Sequence, residues 1–72
     1  MDRAEQVRRI IDVGVVAILR SADAYQLVDV ARALADGGVP VIEVTMTVPH
    51  ALNVIHQVHE TLGKRVMLGA GT

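Results

Sequence analysis

Three aliphatic runs limit what this 72-residue chain can become. They begin near Val15, Val41 and Val66, a repeat of about 25 residues, and each interval has room for one helix and two short connections. Antiparallel strands can be joined by two residues, whereas parallel strands need a crossover of a dozen or more. The spacing therefore predicts parallel strands joined by helices.

The local patterns agree with that reading. Asp2 is a good helix cap, and Val7, Ile10 and Ile11 recur at helical spacing, so Arg3 to Asp12 reads as a short amphipathic helix. After Gly14, the run Val15 to Leu19 is continuously apolar and rich in β-branched residues, the pattern of a strand buried on both faces. Ser21 can cap a second helix, whose apolar stripe is Ala24, Leu27, Val28, Ala31, Leu34 and Ala35. Gly37 and Gly38 end it, since glycine accepts a left-handed cap without steric cost. Val41 to Met46 follows as a second strand, and Pro49 suits the first turn of a third helix. That helix has Ala51, Leu52, Ile55, Val58 and Leu62 as its expected buried stripe and stops at Gly63. Val66 to Leu68 is a third short strand, followed by Gly69 to Thr72.

The order is thus a leading helix and then β-α-β-α-β. Right-handed crossovers make this a three-stranded parallel sheet with helices stacked on one side, leaving two open edges and one uncovered apolar face. Residues 1–72 read as a single partial α/β domain, the opening portion of a (β/α) barrel or of an open α/β sheet. A domain this short buries only ~60% of its unfolded surface. With 51% hydrophobic residues and a single aromatic, Tyr25, expected in packing, the chain reads as part of something larger.

Composition excludes several functions. Without cysteine there is no disulfide framework and no thiolate metal or redox site. Seven basic against eight acidic residues give a net charge of -1, which leaves no nucleic-acid footprint. No apolar run approaches the ~18 residues that suggest a membrane span, and Met1 to Glu5 is too polar for a signal peptide. A soluble, cytoplasmic chain is expected.

In parallel α/β folds, groups that act on ligands sit at the C-terminal ends of the strands. Those positions are Arg20, Glu43 to Thr47, and Gly69 to Thr72. Glu43 interrupts an apolar run, at a depth where a charge must be paired, neutralised or used. Counting by twos, Val41, Glu43 and Thr45 share one face, and Ile42, Val44 and Met46 share the other. If the second set meets the helices, Glu43 and Thr45 point toward a barrel interior. Partial desolvation raises a carboxyl's pKa, which suits proton transfer near neutrality; a structural pairing with a basic residue is the alternative.

Arg20 could hold a carboxylate or phosphate with its guanidinium fork, lie on the surface, or pair with Glu43. Gly69-Ala70-Gly71-Thr72 could allow close approach of a ligand, begin a phosphate loop, or form a tight turn. Thr45 and Thr47 could donate hydrogen bonds to a ligand, or serve as a strand former and a helix cap. His56 and His59 lie three apart on a helix without a converging third ligand, and neither they nor His50 is assigned to a metal.

Four segments carry a family resemblance: Gly14 to Arg20 (GVVAILR), Ala35 to Val39 (ADGGV), Ile42 to Pro49 (IEVTMTVP) and Leu68 to Thr72 (LGAGT). In this order and spacing they resemble the 2-keto-3-deoxy-6-phosphogluconate (KDPG) and 4-hydroxy-2-oxoglutarate (KHG) aldolases, over essentially the whole chain. The resemblance implies the N-terminal portion, about a third, of a (β/α)₈ TIM barrel. It also implies a class I aldolase without metal or cofactor, commonly trimeric, that cleaves its substrate to pyruvate and an aldehyde. By resemblance Glu43 is the acid/base glutamate and Thr72 lies at the pyruvate end of the substrate. Many members carry an arginine where this chain has Thr47; others have Thr-Val-Pro there and an arginine closing the first strand, as Arg20 does, so Arg20 is expected to bind the carboxylate. The family's nucleophilic lysine lies on a later strand. The only lysine here is Lys64, at the wrong end of a strand, so these residues alone are expected to be inactive. The other expectations are a phosphate-binding α/β module beginning at Gly69, and a non-catalytic fragment that self-associates through open strand edges.

Overall fold

A computed structural model describes residues 2–24 and 26–72. The elements run α1 (Arg3–Val13), β1 (Ala17–Leu19), α2 (Gln26–Asp36), β2 (Val41–Thr45), α3 (Ala51–Leu62), a 3₁₀ turn (Gly63–Arg65) and β3 (Met67–Gly71). The three strands form one parallel sheet in the order β1-β2-β3. Register pairs Ile18 with Glu43 and Glu43 with Gly69 across the sheet. This is a parallel α/β architecture, consistent with the βαβαβ opening of a TIM barrel.

One apolar core lies between the sheet and two helices. Leu19, Ile42 and Val44 from the strands meet Leu27 and Ala31 of α2 and Val54 and Val58 of α3. On α2 the expected stripe holds, with Ala24, Val28, Leu34 and Ala35 packed at its margin. The helix closes in a Schellman motif: Val39 N–H donates to Leu34 O at 2.8 Å, Gly38 N–H donates to Ala35 O at 3.2 Å, and Gly38 sits at φ 95°.

Several local expectations need correction. Strand pairing in β1 begins only at Ala17, and Val15, Val16 and Ile18 are exposed, so this apolar run is covered on one face rather than two. Ser21 does not cap α2; its hydroxyl accepts from Asp23 N–H at 3.0 Å in a local turn, and the helix starts at Gln26. On α3 the buried stripe is Ala51, Val54, Val58 and Leu62, while Leu52 is 68% exposed. Leu52 follows Ala51 by a single residue, a 100° turn that carries it off the stripe and leaves Val54 in its place. Pro49 precedes α3 rather than entering it, with His50 as the N-cap in left-handed geometry. The packing expected of Tyr25 lies outside the described residues.

The N-terminal helix is well capped but not buried. Asp2 accepts from Glu5 N–H at 2.8 Å, Gly14 closes the other end, and Val7, Ile10 and Ile11 remain exposed. Arg9 holds the helix to the 3₁₀ turn by donating to Lys64 O and Arg65 O, and Arg65 in turn pairs with Asp36 at the end of α2. These contacts gather at the N-terminal end of the sheet, away from Thr45 and Gly71. Among the described residues no helix is long and apolar enough to cross a membrane.

The two aliphatic positions separate sharply in their expected energetics. Ile42→Ala, at a side chain within the core, should cost about 2–5 kcal/mol, whereas Leu52→Ala should change stability by no more than about 0.5 kcal/mol. Urea denaturation of the two variants beside the parent chain checks this.

Candidate active site

The site is built where the strands end. In β2, Ile42 and Val44 enter the helix-facing core, so alternation puts Glu43 and Thr45 on the opposite face. Glu43 is half-buried there, beside an Ile18 that is 62% exposed. Its side chain leans toward the C-terminal ends of the strands. A Cβ placed on Gly71 would overlap Glu43 Oε1 and Cδ and come within 3.1 Å of Oε2. Among the described residues no hydrogen bond or ion pair engages this carboxylate, and none engages Arg20. The pairing of Glu43 with Arg20, open on the sequence, is not made.

Thr45 is 1% exposed and pairs in register with Gly71. Its hydroxyl satisfies its hydrogen bonding with Thr47, Oγ1 to Oγ1 at 2.9 Å, and Thr47 is exposed. Thr47 does not cap α3, whose N-cap makes no side-chain hydrogen bond. The threonine pair instead presents one free hydroxyl surface, that of Thr47, just beyond the strand end. Met46 N–H donates to Gly71 O at 2.6 Å and ties the ends of β2 and β3 together.

Gly69, Ala70 and Gly71 are strand residues, paired with Glu43, Val44 and Thr45. Neither a tight turn nor a phosphate-cradling loop forms there, because the segment runs extended in the parallel ladder with β2 instead of curling so that successive N–H groups converge on one ligand. Thr72 follows directly, exposed, at the same sheet end. Arg20 is also exposed and comes one residue after the Leu19–Val44 pair, so Arg20, Glu43, Thr47 and Thr72 all belong to one end of the sheet.

Other polar groups lie elsewhere. Lys64 is in the 3₁₀ turn before β3. A strand as long as Met67–Gly71 spans about 13 Å at 3.3 Å per residue, which separates Lys64 from the Glu43 end. His56 lies 3.9 Å from Glu60 on the exposed side of α3. Among the described residues no group of three His, Cys, Asp or Glu side chains is arranged to hold a metal ion.

A sequence model of the KDPG and KHG aldolase family matches residues 6–72. The chain belongs to this family. No curated protein and no solved structure matches it. For a member of the KDPG/KHG aldolase family, the polar strand ends described above are the natural place to seek the reaction, by the strand-end rule for (β/α) barrels. The sequence marks Gly69 to Thr72 only as a run of small residues that could allow close approach, without separating one glycine from the other. The register distinguishes Gly71, setting it beside Thr45 and under the Glu43 carboxylate.

The threonine pair yields a direct check. Thr47→Val removes the partner of a buried hydroxyl and should cost about 1–3 kcal/mol, and adding Thr45→Val should recover part of that loss, because an unsatisfied buried group is worse than none. Denaturation midpoints of the single and double variants measure the difference.

Proposed function

We propose that this sheet end handles the pyruvate portion of a 2-keto acid in a class I aldolase reaction. Cleavage of 2-keto-3-deoxy-6-phosphogluconate or 4-hydroxy-2-oxoglutarate to pyruvate and an aldehyde is the reaction. The reading rests chiefly on one observation: an unpaired carboxylate, Glu43, stands at the strand ends on the face away from the helices.

In this reading a lysine amine attacks the C2 ketone, and water leaves to give an iminium. The C3–C4 bond then breaks, its electron pair moving toward the iminium to form an enamine. The C4 hydroxyl loses its proton as C4 becomes the aldehyde carbon, and C3 afterwards takes up a proton to give pyruvate bound through nitrogen. Hydrolysis releases it. Glu43 serves these proton transfers, a role worth ~10²–10⁴ in rate for a positioned acid or base. Arg20 binds the substrate carboxylate through its guanidinium fork, and the hydroxyls of Thr47 and Thr72 contribute hydrogen bonds at the same end. The lysine is not Lys64, which lies a strand's length away.

Titrating the labelled 72-residue chain with pyruvate should shift the resonances of Glu43, Thr72 and Arg20. Arg20→Ala should weaken that response about tenfold or more, since hydrogen bonds to a charged group contribute ~1.5–3 kcal/mol. Borohydride added with pyruvate should leave Lys64 unmodified. Resonance shifts confined to residues remote from the strand ends, or a reduced adduct on Lys64, would overturn the assignment.

The exposed Val16 and Ile18 on the Glu43 face support a second reading, self-association of this chain through its uncovered sheet. Size-exclusion chromatography across a concentration series should then show a species larger than the monomer, and Ile18→Lys should return it to monomer.

A further inference from the structure

Glu43 is paired in register with Gly69, yet its carboxylate rests over Gly71, two residues farther along β3. By strand alternation the two glycines share one sheet face, the face of Glu43. They differ in what surrounds them. A Cβ on Gly69 would meet nothing within 4 Å, whereas on Gly71 it would occupy the place of Glu43 Oε1 and Cδ. Backbone conformation does not explain the glycine at 71. It lies in an extended strand, and the left-handed glycines of the described residues are Gly14, Gly38 and Gly63. Retreat of the Gly71 backbone is resisted by its carbonyl, which accepts from Met46 N–H.

We infer that Gly71 is a positioning residue, whose missing side chain forms the seat that holds the Glu43 carboxylate at the C-terminal ends of the strands. The catalytic meaning of that seat rests on the aldolase reading of Glu43. Any side chain at position 71 displaces the carboxylate rather than the fold, because the atoms it meets are the tip of a flexible side chain. Glu43 then swings back along its own face, away from Thr47, Thr72 and the strand ends where a keto acid would lie.

The test compares Gly71→Ala with Gly69→Ala in the isotopically labelled 72-residue chain. In the parent, Glu43 γ-protons should show a nuclear Overhauser contact to the Gly71 α-protons. Gly71→Ala should abolish contact between Glu43 and position 71 and shift the Glu43 carboxyl carbon, with the amide resonances of Ile42 and Val44 unmoved. Gly69→Ala should retain both the contact and the carboxyl shift. A parent chain lacking the contact overturns the inference, as does a carboxyl carbon that moves equally in both variants or in neither.

Should Gly71→Ala fail to fold, Glu43→Ala in the same chain removes the atoms that the new Cβ meets. Recovery of the fold supports the seat, and continued failure overturns it. Pyruvate separates this inference from the functional reading. A response present in the parent and Gly69→Ala but lost in Gly71→Ala supports both. Absence of any pyruvate response, with the Glu43 displacement observed as expected, rejects the keto-acid reading alone.

Discussion

Both crossover helices pack against the same face of a three-stranded sheet, and this one-sidedness governs what each strand residue can be. Ile42 and Val44 are drawn into the layer between sheet and helices, so the period-two alternation of β2 turns Glu43 and Thr45 to the other face. In a sheet covered on both sides a carboxylate in that position would need a buried partner. Here the face is open beside it, with Ile18 largely in water, and the carboxylate stands without a protein partner among the described residues. The openness has a cost. Fully burying a side chain such as Ile18 contributes ~1.5–3 kcal/mol, which this arrangement leaves unrealised.

The parts of the fold that follow from repeated local patterns were legible in the sequence. The 25-residue rhythm identified three parallel strands, and the α2 stripe and its glycine cap are found as read. Errors arose where tertiary context decides between two locally allowed states. The Val15 to Leu19 run reads as buried on both faces because its composition cannot say whether a second layer exists. Leu52 is as apolar as Val54, and only the position of the sheet selects which of them turns inward. Gly69 to Gly71 fall beyond the expected strand Val66 to Leu68, since glycine often marks turns, yet the ladder with β2 makes them strand.

The candidate site divides along the same line. Glu43 stood out because a charge inside an apolar run has few bland explanations, and the family resemblance fell on the same residue. In the sequence Thr45 and Thr47 read as separate ligand donors or as a strand former and a cap, but their mutual hydrogen bond makes them one unit, with the buried hydroxyl spent on the exposed one. Gly71 lay within the small-residue run Gly69 to Thr72, but nothing in the sequence distinguished it from Gly69. Its part in the site is an absence of atoms, and such a part is defined only by what a neighbouring strand places against it.

Charge placement along the strands bears on what the site can hold. Arg9, Lys64 and Arg65 all belong to the N-terminal end of the sheet, where Arg9 and Arg65 are committed to carbonyls and to Asp36. At the opposite end the ionisable strand-end residues are Glu43 and Arg20. A 2-keto acid brings a carboxylate of its own, and two carboxylates held within a few ångströms repel unless a cation lies between or beside them. In the proposed reaction Arg20 therefore has a second effect besides orienting the substrate. By neutralising the bound carboxylate it would allow the Glu43 carboxyl group to stay close enough to exchange protons with the neighbouring carbon. Thr47, just past β2, is compatible with this reading, in which the cation would come from the adjacent strand end rather than from β2 itself.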